Sequence, residues 1–214
     1  MVNDSFWYNF YKDFKSNIIK NSNFSDYIYE KYIENNNNVI SLGDFGCGNC
    51  RDSHFFAEKG CQVYSIDPNG VNNYSNSKCN LILEDIELFL RKKSLNIKFD
   101  VIYMRWFLHA IPDNKRKNIF NHSLFYLNKG GLICIEVRSL NDTELIKNST
   151  YSENDNSYTT SHKRWPLNRE MLNEMVKDKQ LEIIEMTEGY FSYDNYAETN
   201  NPLLIRCIIK KLND

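Results

Sequence analysis

Apolar runs of strand length alternate with helix-like segments through most of the chain. The runs predicted as the first five strands are Val39–Gly43, Gln62–Ile66, Asn80–Leu83, Asp100–Met104 and Leu132–Val137. The helices predicted between them are Arg51–Lys59, Ile86–Lys92 and Asn114–Leu127. Strands that alternate with amphipathic helices indicate a parallel sheet covered on both faces. Right-handed crossovers then make the sheet doubly wound.

The pattern changes near the C-terminus. A helix predicted at Leu167–Lys177 is followed by two more strands, Leu181–Met186 and Leu203–Lys210. The connection between these strands, 190–201, has no room for a crossover helix, so they should pair antiparallel. The predicted fold class is therefore α/β: a doubly wound, Rossmann-like, mostly parallel sheet of seven strands with an antiparallel C-terminal hairpin.

Residues 1–214 are predicted to form a single domain with two additions to the sheet. Residues 1–36 precede the first strand and carry two helices, of which Ser5–Lys20 bears an aromatic cluster. Residues 139–166 are polar and irregular, and long insertions of this kind usually carry function.

Composition excludes several classes of protein. The net charge of −2 offers no basic field for nucleic acid or for an anionic membrane. No apolar run approaches the ~20 residues that span a bilayer, and the N-terminus lacks the pattern of a signal peptide. The six cysteines mostly lie in or beside apolar runs, as buried thiols do, which favours a reducing, cytoplasmic setting.

The stretch G-D-F-G-C-G-N-C at 43–50 has two interpretations. Cys47 and Cys50 have the spacing of a zinc knuckle or a redox dithiol, but the chain has no second ligand pair of that kind. Gly46 and Gly48 instead form a G-x-G at the carboxyl end of the first strand, where ligands bind on open α/β sheets. Cys50 then stands in place of a third glycine, which is acceptable if the backbone there does not require a positive φ.

Acidic residues at the next two strand ends strengthen the second interpretation. Asp67 ends the strand V-Y-S-I-D, 21 residues after Gly46, where a carboxylate can accept both ribose hydroxyls of an adenosine. Asp85 follows the third strand in L-I-L-E-D-I, where it can accept the amino hydrogens of adenine. A dinucleotide site would not need that third acid, which argues against an NAD-dependent oxidoreductase.

These motifs and the string F-D-V-I-Y-M-R-W-F-L-H-A-I at 99–111 resemble, in order and spacing, those of class I S-adenosylmethionine-dependent methyltransferases. The resemblance implies that S-adenosylmethionine is the cofactor and that residues 1–36 form a lid. It also implies a cofactor-binding role for a set of residues that follow the strand ends or lie in the lid. These are Tyr11, Asp44, Gly46, Cys47, Gly48, Asp67, Pro68, Asp85, Ile86 and Met104.

A narrower resemblance joins C-G-N-C-R-D-S, R-W-F-L-H-A-I, I-E-V-R-S and H-K-R-W to small-molecule methyltransferases of bacterial capsule and surface-polysaccharide clusters. It implies O-methylation of a phosphorylated, phosphoramidate or nucleotide-activated precursor. Basic residues suited to such an anion follow strand ends or lie in the 139–166 insertion. The predicted substrate-binding residues are Arg105, Arg138, His162 and Arg164, whereas Lys163 is predicted to be a solvated cation.

A hydroxyl acceptor would require a general base, and His109 is the main candidate, with His162 as the other. A structural role for His109 is equally compatible with the sequence, and an acceptor that is already ionised would need no base.

Two other functions stay open: a cofactor-binding regulatory module without methyl transfer, and the NAD-dependent oxidoreductase. A nucleic-acid methyltransferase is disfavoured because no N-P-P-Y-type string follows the fourth strand. A metal site, a membrane partner and a nucleic-acid partner are not expected, and the oligomeric state cannot be deduced from the sequence.

Overall fold

The computed structural model describes residues 4–13, 20–72, 79–92, 96–191 and 201–213. Its helices are α1 (Asp4–Asp13), α2 (Asn23–Ile28), α3 (Arg51–Glu58), α4 (Ile86–Arg91), α5 (Asp113–Tyr126), α6 (Thr143–Lys147) and α7 (Arg169–Val176). A π-helical turn, Tyr29–Ile33, extends α2, and a 3-10 turn, Leu108–Ala110, precedes α5. No helix within the described ranges is long and apolar enough to cross a bilayer.

The main sheet has seven strands in the order β3-β2-β1-β4-β5-β10-β9. Its five parallel strands are β1 (Ser41–Phe45), β2 (Gln62–Ile66), β3 (Asn80–Ile82), β4 (Phe99–Arg105) and β5 (Leu127–Arg138). The antiparallel strands are β9 (Leu181–Gly189) and β10 (Leu204–Lys211). The predicted fold class is confirmed, and the order of strands reverses between β1 and β4, where open α/β sheets bind ligands.

Alternation along the central strands explains why both faces of the sheet are covered. In β4, Ile102 and Met104 join the core packed under α4, α5 and α7, whereas Val101 and Tyr103 join the core packed under α2 and α3. Successive strand residues point to opposite faces, so a strand that is apolar throughout must be covered on both sides.

The 139–166 insertion contains regular secondary structure, which corrects the expectation of an irregular segment. It contains α6 and a separate antiparallel sheet of β6 (Thr150–Ser152), β7 (Ser157–Thr159) and β8 (Lys163–Arg164). Asn156, at a φ of 53°, helps to turn the chain between β6 and β7. Strands of two or three residues are too short to show an alternating pattern, which is why the sequence did not indicate them.

Most predicted boundaries shift by one or more residues. The first strand begins two residues later than predicted, at Ser41, and β5 begins directly after α5, at Leu127. The first helix is described as far as Asp13, and residues 14–19 of its predicted span lie outside the described residues.

Candidate functional site

The loop after β1 has the backbone conformation that its glycines predict. Gly46 and Gly48 have φ of 81° and 54°, and the Gly46 N–H donates to the Ile66 carbonyl across to β2 at 2.8 Å. A Cβ placed on Gly46 would lie 2.7 Å from the ring of Phe107, and one placed on Gly48 would lie 2.5 Å from the Tyr11 hydroxyl. At Gly46 both the clash and the positive φ favour glycine, whereas at Gly48 the clash is with the far end of the Tyr11 side chain and the positive φ is the stronger constraint.

Cys50 also has a left-handed backbone, with a φ of 61°. The condition under which cysteine could replace the third glycine without strain is therefore not met, and this corrects the expectation from sequence. The Cys50 and Cys47 sulfur atoms lie 3.8 Å apart, and burial raises the pKa of the Cys47 thiol to about 12. Within the described part of the chain, no group of His, Cys, Asp or Glu side chains is placed to hold a metal ion.

Substitutions at Cys50 should isolate the strain at this position. We expect Cys50→Gly to be more stable than Cys50→Ala by about 1 kcal/mol, because a Cβ is disfavoured in the left-handed region. Both variants remove the thiol, so its burial and its contact with Cys47 cancel in the comparison. Urea unfolding of the two variants measures the difference, and the Gly variant should bind S-adenosylhomocysteine at least as tightly as the native protein. Equal or greater stability of the Ala variant would contradict the strain.

Asp44 and Asp67 are buried at the ends of β1 and β2. Ser53 donates its hydroxyl hydrogen to Asp44 at 2.5 Å, and burial raises the pKa of Asp44 to about 8. Asp67 accepts from the backbone N–H groups of Gly48 at 3.1 Å and Asn69 at 2.8 Å, while burial raises its pKa. A buried carboxylate whose charge is disfavoured fits a ligand that brings a cation, as the ammonium of S-adenosylmethionine does.

Asp85 lies one strand further along the same sheet edge. Its side chain caps α4 by accepting from the backbone N–H groups of Glu87 and Leu88, and it forms an ion pair with Lys115 at 2.6 Å. Ile86 is the first residue of α4 and is buried. Pro68, also predicted to bind the cofactor, is exposed directly after Asp67.

Met104, predicted to lie beside the cofactor, is fully buried in the core packed under α4 and α5. The structure does not expose this side chain at the carboxyl edge of the sheet. Phe107, which the sequence did not single out, instead covers Gly46. Phe107 lies in the R-W-F-L-H-A-I string, and that motif was the one sequence signal that could have marked it as a site residue.

Helix α1 connects the 139–166 insertion with the loop after β1, residues 46–50, which we name the cofactor loop for its predicted role. Tyr11 lies against Gly48, and its pKa is raised by burial and by the charge of Asp67. Phe6 stacks on the ring of His162 at 4.2 Å between centroids, and Trp7 meets the same ring edge-on at 4.7 Å. The aromatic side chains of α1 thus contact both the loop after β1 and His162 in the insertion.

His109 is buried in the 3-10 turn after β4. Its Nδ1 accepts a hydrogen bond from the backbone N–H of Arg138 at 3.1 Å. Because that N–H can only donate, Nδ1 carries no proton, and the neutral ring carries its proton on Nε2. Burial, Arg164 and Arg138 hold its pKa well below the ordinary value. The base role of His109 stays a prediction, and the bond that occupies Nδ1 argues against it.

Cationic side chains surround His109. Arg138 and Arg164 are buried beside it, and both lower its pKa and that of His162. Burial, Arg164 and Arg138 together lower the pKa of His162 to about 3, so its ring is neutral. Asp142 accepts from Arg138 Nε at 2.7 Å, and Thr160 accepts from Arg164. We name Arg138, Arg164, His162 and His109 the acceptor-side cluster.

Arg105 belongs to a different group of charges. Its Nε lies 3.1 Å from a carboxylate oxygen of Glu136, and Arg206 donates to the other oxygen of Glu136 at 2.8 Å. Trp106 has a φ of 56°, which is strained for a bulky residue, and donates to Glu136 from Nε1 at 3.0 Å. Glu136 therefore holds the end of β4, a role that no sequence motif indicated.

Three other basic side chains have structural partners. Lys163 is partly exposed and forms an ion pair with Asp155 at 2.8 Å. His54 lies 3.3 Å from Glu58, and His122 contacts the Asn118 carbonyl at 2.7 Å. None of these three lies in the acceptor-side cluster.

Comparison with protein families agrees with the resemblance to methyltransferases noted in the sequence. The family model described as "Methyltransferase domain" matches residues 22–186. A comparison with curated proteins finds no match.

Solved structures of methyltransferases share the fold. An S-adenosylmethionine-dependent methyltransferase from Clostridium acetobutylicum ATCC 824 is 18% identical with a TM-score of 0.66, covering 98% of this chain and 99% of that one. One from Anabaena variabilis ATCC 29413 is 15% identical with a TM-score of 0.67, covering 96% and 93%. The 1,6-didemethyltoxoflavin-N1-methyltransferase of Burkholderia thailandensis, with 1,6-didemethyltoxoflavin and S-adenosylhomocysteine bound, is 12% identical with a TM-score of 0.65, covering 89% and 77%.

Proposed function

We propose that this chain, which belongs to the methyltransferase-domain family and is an S-adenosylmethionine-dependent methyltransferase, methylates an oxygen of a small anionic acceptor. The observation that carries the proposal is the acceptor-side cluster. Arg138 and Arg164 are buried there beside two neutral histidines. The planar guanidinium group can donate two parallel hydrogen bonds to a pair of oxygens of a phosphoryl, phosphoramidate or carboxylate group.

The cofactor-binding part of the proposal rests on how well the residues at the ends of β1, β2 and β3 fit S-adenosylmethionine. Gly46 and Gly48 leave space that a Cβ would fill, Asp44 suits an ammonium, and Asp67 and Asp85 suit the ribose and the adenine. Tyr11 lies over this loop in α1, the proposed lid. When bound, S-adenosylmethionine supplies a methyl group on a sulfonium sulfur.

We infer that the acceptor oxygen is ionised before it reaches the site. His109 uses Nδ1 as an acceptor from the Arg138 backbone, and His162 has a pKa of about 3, so neither suits the role of a base near neutral pH. The arginines would instead bind and orient the oxyanion, and alignment for in-line displacement supplies much of the rate enhancement. The aromatic side chains of α1 would exclude water while the charges of the acceptor and the sulfonium cancel.

The narrower substrate class rests on the resemblance to capsule-cluster methyltransferases. We propose a phosphorylated, phosphoramidate or nucleotide-activated precursor of a surface polysaccharide, made in the cytoplasm. The six cysteines, all buried thiols without disulfides, agree with a reducing compartment.

Methyl transfer to charged and neutral acceptors tests this function. We expect S-adenosylhomocysteine release with phosphoramidate, glycerol 3-phosphate or a nucleoside diphosphate sugar, and none with glycerol or glucose. Arg164→Met should lower kcat/KM for the active acceptor by about 100-fold, because a charge-assisted pair is lost. Its affinity for S-adenosylhomocysteine should stay within about twofold.

Lys163→Met is the matched control, since Lys163 is the neighbouring cation on β8 and pairs with Asp155. It should leave kcat/KM unchanged. Equal methylation of neutral acceptors, or equal effects of the two substitutions, would contradict an anionic acceptor. Binding of S-adenosylhomocysteine without turnover on the whole panel would favour the regulatory module, and binding of NAD in its place would favour the oxidoreductase.

A further inference from the structure

We propose that Lys115 is a positioning residue that holds Asp85 for the adenine amino group and so gives the enzyme its preference for a 6-aminopurine cofactor. This inference rests on the cofactor site of the proposed function. Lys115 lies in the first turn of α5, an element to which the sequence assigned no cofactor role.

The Asp85 carboxylate is held from two elements at once. Its Oδ1 accepts from the backbone N–H groups of Glu87 at 2.9 Å and Leu88 at 3.2 Å, both in α4. Its Oδ2 accepts from Lys115 Nζ of α5 at 2.6 Å. Two anchors on different helices fix the plane of the carboxylate, whereas the cap alone would leave Oδ2 to reorient.

The ion pair also keeps Asp85 an acceptor only. Burial opposes ionisation of Asp85, but Lys115 and the two backbone N–H groups outweigh it, so the pKa of Asp85 lies below its ordinary value. Each carboxylate oxygen has two lone pairs, so an oriented Asp85 can accept one more hydrogen bond beside those already formed. An amino group at the purine 6-position donates that bond, while a 6-oxo group would present an oxygen to a carboxylate.

A second ion pair close in sequence provides the contrast. Lys92, which follows α4, pairs with Glu84 at 2.7 Å, nearly the same separation as in the Lys115–Asp85 pair. The Lys92 side chain is 51% exposed and that of Lys115 is 23% exposed. Exposed pairs contribute little to stability, and Glu84 is not one of the proposed cofactor ligands. Lys92 therefore serves as a matched control for loss of a lysine ion pair at this end of the sheet.

Calorimetric titration of the intact protein with S-adenosylhomocysteine and with its 6-oxo analogue, S-inosylhomocysteine, tests the proposal. We expect Lys115→Met to weaken S-adenosylhomocysteine binding about tenfold and to leave the 6-oxo analogue within about twofold, so that the preference between them falls. Lys115→Arg should restore most of the preference, because it keeps a cation at Asp85. Lys92→Met should bind both ligands as the native protein does.

Three outcomes would overturn the proposal. An unchanged preference in Lys115→Met would remove the positioning role. Equal weakening of both ligands, without rescue by arginine, would show that Lys115 only supports the fold. A native protein that does not distinguish the two ligands would remove the adenine role of Asp85 itself. Methyl transfer to anionic acceptors is measured separately, so it could still succeed in each of these cases.

Discussion

Gly46→Val is expected to abolish binding of S-adenosylhomocysteine, with a loss of at least about 100-fold in affinity. The backbone at Gly46 has a φ of 81°, which disfavours any β-branched residue. A Cβ there would also lie 2.7–2.9 Å from three carbons of Phe107, including its Cβ, which is fixed to the main chain. Relief of this clash requires movement of either the cofactor loop or the turn after β4, and calorimetry measures the lost affinity.

Gly60→Val separates the clash from the backbone strain. Gly60 has a φ of 93°, but a Cβ placed on it would have no neighbour within 4 Å. Both substitutions therefore force a branched residue into the left-handed region, and only the one at Gly46 meets another side chain. We expect the Gly60 variant to lose stability and keep its affinity for S-adenosylhomocysteine. A comparable loss of affinity in both variants would show that strain alone, transmitted through the fold, explains the effect.

The parallel order of the strands and the C-terminal hairpin could be predicted because each depends on local properties. Buried parallel strands are apolar throughout, and the 190–201 connection is too short for a crossover helix. Asp44, Asp67 and Asp85 could be placed for the same reason. Asp44 lies near the end of β1, Asp67 and Asp85 follow β2 and β3, and the carboxyl ends of parallel strands share one edge. Gly46 and Gly48 in the loop after β1 also indicate a left-handed backbone, because glycine adopts positive φ without strain.

The features that the sequence did not predict depend on contacts between distant residues. Glu136 pairs with Arg105 on β4 and Arg206 on β10 because strand register brings all three together. The Nδ1 of His109 accepts from the Arg138 backbone, a contact across 29 positions in sequence that indicates which ring nitrogen carries the proton. The left-handed conformation of Cys50 is likewise set by the path from β1 into α3. Local sequence patterns carry no information about such pairings.

These contacts also link the two halves of the site. Phe107 covers Gly46, and His109 in the same turn accepts from the end of β5. Trp106 begins that turn in a strained conformation, and Glu136 holds it with two hydrogen bonds. The Glu136 carboxylate accepts from the indole N–H at 3.0 Å, and the Glu136 carbonyl accepts from the Trp106 backbone N–H at 2.8 Å. The distance between the cofactor loop and the acceptor-side cluster is therefore fixed by one short turn.

The affinity for S-adenosylhomocysteine is expected to rise with pH by roughly 20-fold between pH 6 and pH 7.5, because the carboxyl group of Asp44, the proposed ligand of the ammonium, must ionise to bind it. Burial raises the pKa of Asp44 to about 8, so the free carboxyl group is mostly protonated over this range. Each binding event then displaces a proton, and the affinity levels off once the pH exceeds the pKa of Asp44. Calorimetric titration at a series of pH values measures the slope.

A ligand that lacks the amino acid and a variant that lacks the charge provide the controls. 5′-Methylthioadenosine retains the ribose and adenine, so it reports any slope due to Asp67 and should show little dependence on pH. Asp44→Asn should bind S-adenosylhomocysteine weakly and without the slope. Persistence of the slope in this variant would assign the proton to another group.

The same ionisation should appear, with the opposite sign, in the stability of the free enzyme. The pKa of Asp44 is raised in the folded state from the ordinary value of 3.8 to about 8, so the folded chain binds the proton more tightly than the unfolded chain does. The stability that Asp44 contributes is therefore complete below pH ~4 and is lost as the pH rises towards 8. Thermal unfolding should show the native protein losing stability relative to Asp44→Asn over that interval. Saturating S-adenosylhomocysteine should oppose the loss, because its ammonium supplies the positive charge that the ionised carboxylate otherwise lacks.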